Sequence, residues 1–169
     1  MMIIENYDDA VLDVLNTYSE NFDNITLVEY GRGNGELVKY FLEKDKKVTV
    51  IEDFTQTIFQ ADRTKYKDYE DNLLEYNVLS SEAPEHKTDL IFCSLPHTVP
   101  HVQDEIFQQK LNIAFKNLYA MLNSNGWLVT LDYNVPTIES AIHSLGVAVD
   151  PLLQIDEDSY YMASALCEK

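Results

Sequence analysis

The chain has 169 residues and a formal net charge of −17 at pH 7. This length suits one compact domain with a hydrophobic core, and no linker divides it, so we predict a single domain over residues 1–169. The negative charge repels phosphate groups, which argues against free nucleic acid and anionic membrane surfaces as partners. The two cysteines are too few for a disulfide framework, and neither a signal-peptide pattern nor a long apolar run is present. We therefore expect a cytoplasmic protein.

The first predicted elements are a helix, a strand, a glycine-rich turn and a second helix. The stretch "YDDAVLDVLNTYSENF" has apolar residues at helical spacing, and "ITLVEY" is typical of a buried strand. After the turn, Leu37, Tyr40 and Phe41 fall at i, i+3 and i+4, which predicts a helix. The turn itself, "VEYGRGNGEL", holds three of the five glycines of the chain: Gly31, Gly33 and Gly35. Glycine weakens ordered backbone, so this cluster indicates a turn that needs positive φ or close approach of another group.

Four further strands are predicted in "KVTVIED", "NLLEYNV", "TDLIFCSL" and "GWLVTLDY". A long helix with one apolar face runs from Asp104 to Leu122 and is ended by "NSNG", whereas the proline in "SSEAPEHK" argues against a helix there. Two strand-like runs in the tail, separated by "DEDS", indicate an antiparallel hairpin at the sheet edge. The predicted fold is α/β: a seven-stranded, mostly parallel, doubly wound sheet with a C-terminal antiparallel hairpin and helices on both faces.

In such a sheet, ligands bind beyond the carboxyl ends of the strands. The candidate segments are therefore Glu29–Gly35, Glu52, Asn77 and Ser94–His97. The dinucleotide pattern G-x-G-x-x-G does not fit, because Glu36 stands where its third glycine would be. A carboxylate at that helix start would repel a pyrophosphate, so an NAD-dependent oxidoreductase is disfavoured. A nucleotide-binding P-loop is excluded as well, since no G-K-[ST] follows the glycines.

The stretch "VEYGRGNG" resembles the first motif of the class I S-adenosylmethionine-dependent methyltransferases, which reads apolar-acid-x-G-x-G-x-G. The resemblance continues in order through "VTVIED", "LLEYNV", "TDLIFCSLPH" and "MLNSNGWLVTLDY", and so covers nearly the whole chain. It implies S-adenosylmethionine as the cofactor. That cofactor is cationic at its sulfonium and its amine, so an acidic pocket suits it.

The resemblance also implies roles for individual residues. The acid that closes the second strand, Glu52, would hold the ribose hydroxyls, with Asp53 as the next candidate; Glu29 would face the amine. Asn77 stands where many members carry an adenine-contacting Asp. Arg32 departs from the small residue usual at its position, and either pairs with the cofactor carboxylate or points into solvent. The full predicted cofactor-binding set is Glu29, Tyr30, Gly31, Gly33, Gly35, Glu52, Asp53, Asn77, Val78 and Ser94.

His97 is the candidate catalytic residue. In "SLPHTVPHV" it follows the fourth strand, where the resemblance implies the transferred methyl, and a histidine there could serve as general base. A loop histidine without a role is an equally good interpretation, and it is the better one for His101. The i, i+4 spacing of the two histidines does not indicate a metal site, because Pro100 breaks a helix there and no further ligand is evident. Cys93 is interpreted as a core residue.

The predicted function is methyl transfer to a small-molecule or protein acceptor. The alternative is a non-catalytic cofactor-binding protein that uses the same fold and acts through its acidic surface. The chain has almost no inserted segment that could form a substrate lid, and "SLPH" stands where amine-methylating members carry N-P-P-Y. A small acceptor, or completion of the site by a second copy or a partner chain, would explain the missing lid equally well.

Overall fold

The computed structural model describes residues 9–28, 35–54, 63–93, 105–132, 140–147, 153–154 and 162–167. Within these ranges lie three long helical elements, one 3-10 segment and seven strands. The helices are α1 (Asp9–Ser19), α2 (Glu36–Leu42) and α3 (Glu105–Met121), and residues 140–143 are also helical. The strands are β1 (Asn24–Val28), β2 (Lys47–Glu52), β3 (Leu73–Glu75), β4 (Thr88–Cys93), β5 (Leu122–Asp132), β6 (Leu153–Gln154) and β7 (Met162–Cys167).

All strands belong to one sheet, in the order β3-β2-β1-β4-β5-β7-β6. The first five strands run parallel to one another, as expected for strands joined by helical crossovers. The predicted α/β fold with a parallel sheet and helices is therefore confirmed, with five parallel strands. β7 pairs antiparallel with both β5 and β6. The connection over residues 155–161 lies outside the described residues, so the hairpin itself stays a prediction.

Helices cover both faces of the sheet, because successive strand residues point to opposite sides. On one face, Ile25 and Leu27 of β1 pack in a buried cluster with residues of α1 and α2. On the other face, Val28 and Ile91 pack in a second cluster with one side of α3. Near-continuous apolar strands are what a sheet covered on both sides requires.

The start of β5 differs from the sequence prediction, whereas α3 ends as predicted. The helix ends at Met121 and β5 begins at Leu122, so "NSNG" lies inside the strand rather than in a loop. Thr88 pairs with Leu122, but Leu90 pairs with Trp127, so residues 123–126 of β5 form a bulge-like irregularity. Asn123 donates to Asp89 Oδ1 at 2.9 Å, and a Cβ on Gly126 would lie 3.0 Å from the Asp89 carbonyl oxygen. The bulge therefore depends on contacts with β4 that local sequence patterns do not show.

A 3-10 segment, Arg63–Asn72, connects β2 to β3 and contains a kink at Tyr69. We call it the 63–72 segment. As the sequence indicated, no helix forms over residues 80–87. In the described ranges, no helix is both long and apolar enough to cross a membrane.

Candidate functional site

The carboxyl ends of three parallel strands lie side by side. Val28 is in register with Ile51 of β2 on one side and with Cys93 of β4 on the other. The chain therefore leaves these strands at one edge of the sheet, which we call the carboxyl edge. β3 joins the same edge, because Glu52 is in register with Glu75 and accepts the Tyr76 N–H on its carbonyl oxygen at 3.0 Å. Open α/β sheets hold ligands at this edge.

Gly35 begins α2 with a left-handed backbone, φ +87°. An added Cβ there would lie 3.1 Å from both the Lys65 carbonyl oxygen and the Tyr69 ring, so glycine is needed for space as well as for φ. Glu36 is the first residue of the helix, as predicted. A carboxylate in the first turn of a helix is stabilised by the helix dipole, and it opposes a second anion at the same place.

Glu52, the last residue of β2, and Asp53, which follows it, are buried acids with exposed fractions of 1% and 6%. The Tyr66 hydroxyl donates a buried hydrogen bond to Glu52 Oε1 at 2.7 Å. Ionised carboxylates are rarely buried to this degree, because water must be replaced by partners inside the protein. Buried acids at the ligand-binding edge of a sheet are candidates for binding polar or cationic ligands.

The 63–72 segment is attached to its surroundings at several points. The Arg63 guanidinium forms an ion pair with Glu75 and lies 4.5 Å from the centre of the Phe54 ring. Near the other end, Asn72 Nδ2 donates to the Val48 carbonyl oxygen at 3.0 Å. Between these points Tyr66 is buried, and its ring packs edge to face on Phe54 with the two ring centres 6.5 Å apart. The segment therefore forms a fixed wall that contacts both Gly35 and Glu52.

The chain turns back after β3 at Asn77 and Val78. Asn77 Oδ1 accepts the Leu79 N–H at 2.9 Å, so one lone pair of this oxygen serves the turn itself. Val78 is buried in the cluster under α3. From that helix, buried Asn117 donates through Nδ2 to the Val78 carbonyl oxygen at 2.6 Å and to the Ser80 carbonyl oxygen at 2.8 Å. Both donor hydrogens of one amide thus hold the turn at residues 77–80.

Tyr76 and His86 each have a shifted pKa. Burial, and secondarily the Glu82 carboxylate, raises the pKa of Tyr76, whose hydroxyl donates to the Glu82 carbonyl oxygen at 2.7 Å. Burial, and secondarily the charge of Lys47, lowers the pKa of His86. Tyr76 therefore stays protonated near neutral pH, and His86 favours its neutral form.

The structure brings together part of the predicted site. Gly35, Glu52, Asp53, Asn77 and Val78 are described, and the first two contact one shared segment. Cys93 is buried in the core, as predicted. Other predicted residues lie outside the described ranges and stay predictions: Glu29, Tyr30, Gly31, Arg32, Gly33, Ser94, His97 and His101.

Sequence reasoning missed Tyr66 and Asn117. Tyr66 is buried between exposed neighbours in the 63–72 segment, and Asn117 is a buried polar residue on α3. Neither belongs to a sequence motif. The available signal for Asn117 was weak: an amide on the apolar side of a helix, close to Leu118 and Met121. Tyr66 carried no comparable signal, because its partner Glu52 could be recognised only once the fold was known.

No protein-family model and no curated protein matches the sequence. Solved structures do match. The N-methyltransferase NodS from Bradyrhizobium japonicum WM9, bound to S-adenosylhomocysteine, aligns over 93% of this chain and 84% of its own, with TM-score 0.64 and 17% identity. The 1,6-didemethyltoxoflavin-N1-methyltransferase from Burkholderia thailandensis, bound to 1,6-didemethyltoxoflavin and S-adenosylhomocysteine, aligns over 97% of this chain and 80% of its own, with TM-score 0.63 and 12% identity.

A third match, the ribosomal protein L11 methylase from Lactobacillus delbrueckii subsp. bulgaricus, covers 95% of this chain and 76% of its own, with TM-score 0.55 and 17% identity. The chain has the methyltransferase fold. The resemblance carried by "VEYGRGNG" and the later motifs is thereby confirmed for the fold. Identities of 12–17% do not determine an acceptor.

Proposed function

We propose that this protein is an S-adenosylmethionine-dependent methyltransferase that acts on a small-molecule or protein acceptor. The observation that carries the proposal is Glu52, a buried acid at the carboxyl end of β2 in a methyltransferase-like sheet. A carboxylate can accept hydrogen bonds from two neighbouring hydroxyls, which is what a ribose offers. Asp53 is the second candidate for this contact.

The described residues fit the cofactor in three further respects. Gly35 allows a left-handed backbone at the start of α2, where a ligand could approach the main chain of the turn. Glu36 and Glu52 make this region acidic, which suits a cationic ligand and opposes a pyrophosphate. The turn at Asn77 and Val78 would hold the adenine, with Asn77 Oδ1 keeping a second lone pair for the adenine amine.

The remaining cofactor contacts that we propose involve residues outside the described ranges. Glu29 would pair with the cofactor amine, and Tyr30, Gly31 and Gly33 would form the turn around its amino-acid portion. Ser94 would lie beside the methyl group. Bound S-adenosylmethionine would supply a methyl group activated by a sulfonium, for direct displacement by the acceptor. This chemistry depends mainly on proximity and alignment, so the protein's task is to orient both reactants.

His97 is the proposed base for an oxygen or nitrogen acceptor that is protonated at working pH. It would accept the acceptor's proton as the new bond to carbon forms. His97→Gln keeps a hydrogen-bonding side chain but cannot titrate, so it should lower turnover about a hundredfold while cofactor affinity stays the same. Full turnover of this variant between about pH 6 and pH 8 would remove His97 from the mechanism.

The test of the proposed function is a thermal-shift comparison of S-adenosylmethionine, S-adenosylhomocysteine, NAD and ATP. A ligand that binds the native state at about 100 times its Kd stabilises it by about 2.7 kcal/mol. We expect a shift with the first two compounds and none with NAD. An equal or larger shift with NAD would overturn the proposal.

Transfer of a labelled methyl group to small-molecule and protein fractions of a cell extract then identifies the acceptor class. Label in either fraction supports methyl transfer and selects between the two acceptor classes. Cofactor binding without labelling of any fraction would favour a non-catalytic binding protein.

A further inference from the structure

We propose that Tyr66 is a positioning residue that holds the Glu52 carboxylate in the orientation that binds the ribose hydroxyls. This inference rests on the proposed function, because it assumes that Glu52 contacts the ribose. It adds a residue outside every motif of the sequence. The direct observation is the buried hydrogen bond from the Tyr66 hydroxyl to Glu52 Oε1, at 2.7 Å.

A glutamate side chain has several rotatable bonds, and fixing it when a ligand binds costs conformational entropy. A hydrogen bond already present in the free protein fixes the side chain in advance, so less of this cost remains for binding. Hydrogen bonds from neutral donors to a carboxylate are also stronger than those between neutral groups. Tyr66 therefore stabilises the charged, oriented form of Glu52 before the ligand arrives.

The surroundings of Tyr66 argue for a fixed support rather than a movable cover. Tyr66 is 1% exposed, and it belongs to the same buried cluster as Phe41 and Val50. Its ring contacts Phe54, and the ion pair of Arg63 with Glu75 anchors the start of the segment. Moving the phenol away from Glu52 would open this cluster, whereas leaving it in place requires no rearrangement.

Gly35 connects this support to the glycine-rich turn. The Lys65 carbonyl oxygen and the Tyr69 ring both lie where a Cβ of Gly35 would project, at 3.1 Å. The 63–72 segment therefore rests on the start of α2 with its backbone and on Glu52 with the Tyr66 hydroxyl. One short segment thus fixes the distance between the turn and the proposed ribose-binding acid.

The alternative is that the Tyr66 hydroxyl occupies the position of a ribose hydroxyl and must leave when the cofactor binds. The two possibilities predict opposite effects of Tyr66→Phe, which removes only the hydroxyl. If Tyr66 positions Glu52, the variant should bind S-adenosylhomocysteine about tenfold more weakly, or ~1.4 kcal/mol. If the hydroxyl competes with the ribose, the variant should bind more tightly, and that result would overturn the proposal.

The readout specific to positioning uses an S-adenosylhomocysteine analogue that lacks both ribose hydroxyls. Calorimetric titration of the wild type and Tyr66→Phe with both ligands should show the about tenfold loss for S-adenosylhomocysteine and no change for the analogue. A general structural defect would weaken both ligands equally, which would contradict a positioning role. In a Glu52→Ala background, Tyr66→Phe should have no further effect on affinity, because the two residues act as one unit.

Tyr40→Phe is the matched control. Tyr40 belongs to the same buried cluster, and its hydroxyl donates to Asn16 Oδ1 at 2.5 Å, away from Glu52. This variant should bind both ligands as the wild type does. If the wild type fails to bind S-adenosylhomocysteine, the proposed function fails and this inference fails with it. If the wild type binds and Tyr66→Phe binds equally well, only the role of Tyr66 is refuted.

Discussion

The buried polar side chains at the end of β2 differ in kind from those near the starts of β1 and β4. At the carboxyl edge, the buried polar residues at the end of β2 are the acids Glu52 and Asp53. At the opposite, amino edge, they are hydroxyls: Thr26 shares a 2.9 Å hydrogen bond with His86 Nε2, and Thr88 donates to the Asn24 carbonyl oxygen at 3.2 Å. A buried hydroxyl needs one partner, whereas a buried carboxylate needs several.

Packing alone therefore explains the amino edge but gives no reason for acids at the carboxyl edge. Two lysines lie near the amino edge. Lys46 and Lys87 lie just before β2 and β4. Lys46 Nζ is 3.7 Å from Asp23 Oδ1, and Lys87 Nζ donates to the Ala120 carbonyl oxygen at 2.6 Å. An open cleft of about 450 Å³ lies near the amino edge, lined by residues of α1 and by Lys44 and Lys46. Two lysines and one glutamate, Glu20, line this cleft, so its charge does not favour a cationic cofactor.

The largest expected effect is the loss of ligand affinity when Glu52, at the carboxyl edge, is replaced. Glu52→Ala should weaken S-adenosylhomocysteine binding by about 1.5–3 kcal/mol, because a charged acceptor of two hydroxyls is lost. Calorimetric titration of the folded variant measures this change. Glu85→Ala is the control, since it removes the same charge from an exposed position near the amino edge. Unchanged binding by a folded Glu52→Ala protein would move the ribose contact to Asp53.

A second prediction for the carboxyl edge concerns Asn117, which supports the turn after β3 by donating to main-chain carbonyl oxygens. Asn117→Ala should lower the free energy of unfolding by about 1–3 kcal/mol, since two carbonyl oxygens lose a buried donor. Denaturant titration measures the loss. Asn112→Ala on the same helix removes only an acceptor for Gln108 and should change stability by less than about 0.5 kcal/mol. Equal losses in the two variants would show that the turn does not depend on Asn117.

The two described glycines with positive φ form a natural pair. Gly35 (φ +87°) is crowded by the 63–72 segment, while a Cβ on Gly146 (φ +72°) would meet nothing within 4 Å. Both alanine variants incur the left-handed backbone cost of about 1–2 kcal/mol. Gly35→Ala should lose about 1 kcal/mol more, because the Lys65 carbonyl oxygen must move. Equal free energies of unfolding for Gly35→Ala and Gly146→Ala in denaturant titration would mean that the 63–72 segment moves aside without an energetic cost.

The smallest expected effect is the pH dependence of folding stability that His86 contributes at the amino edge. The pKa of His86 lies below its ordinary value of about 6.5, first because of burial and then because of Lys47. The folded protein therefore binds the proton less readily than the unfolded chain. This contribution to stability is complete above about pH 6.5 and is lost as pH falls below that value.

His86→Gln removes the titrating group and should reduce the pH dependence of stability in this window. The comparison uses urea midpoints of wild type and variant at about pH 7.5 and pH 5. The wild type should lose more on acidification, although acidic side chains contribute equally to both proteins. Parallel losses would show that protonation of His86 is not linked to unfolding.

Local sequence patterns were sufficient for the elements around the site. Hydrophobic periodicity predicted α3 over Asp104–Leu122, and the structure has Glu105–Met121. The glycine-rich stretch and Glu36 predicted a helix start at this point, and "VTVIED" placed Glu52 at the end of β2. These predictions succeeded because strand and helix periods, and the backbone freedom of glycine, depend on neighbouring residues only.

Contacts between distant residues required the tertiary structure. Tyr66 reaches Glu52 across 14 positions and Asn117 reaches Val78 across 39, and neither pair belongs to a repeating pattern. The start of β5 at Leu122 likewise depends on its pairing with Thr88 of β4, and "NSNG" forms an irregularity before the pairing resumes at Trp127. The sequence by itself determined that Glu52 ends β2 and that one helix covers the span of α3; the fold decided which other side chains reach these elements, because that choice is made by packing across the sheet.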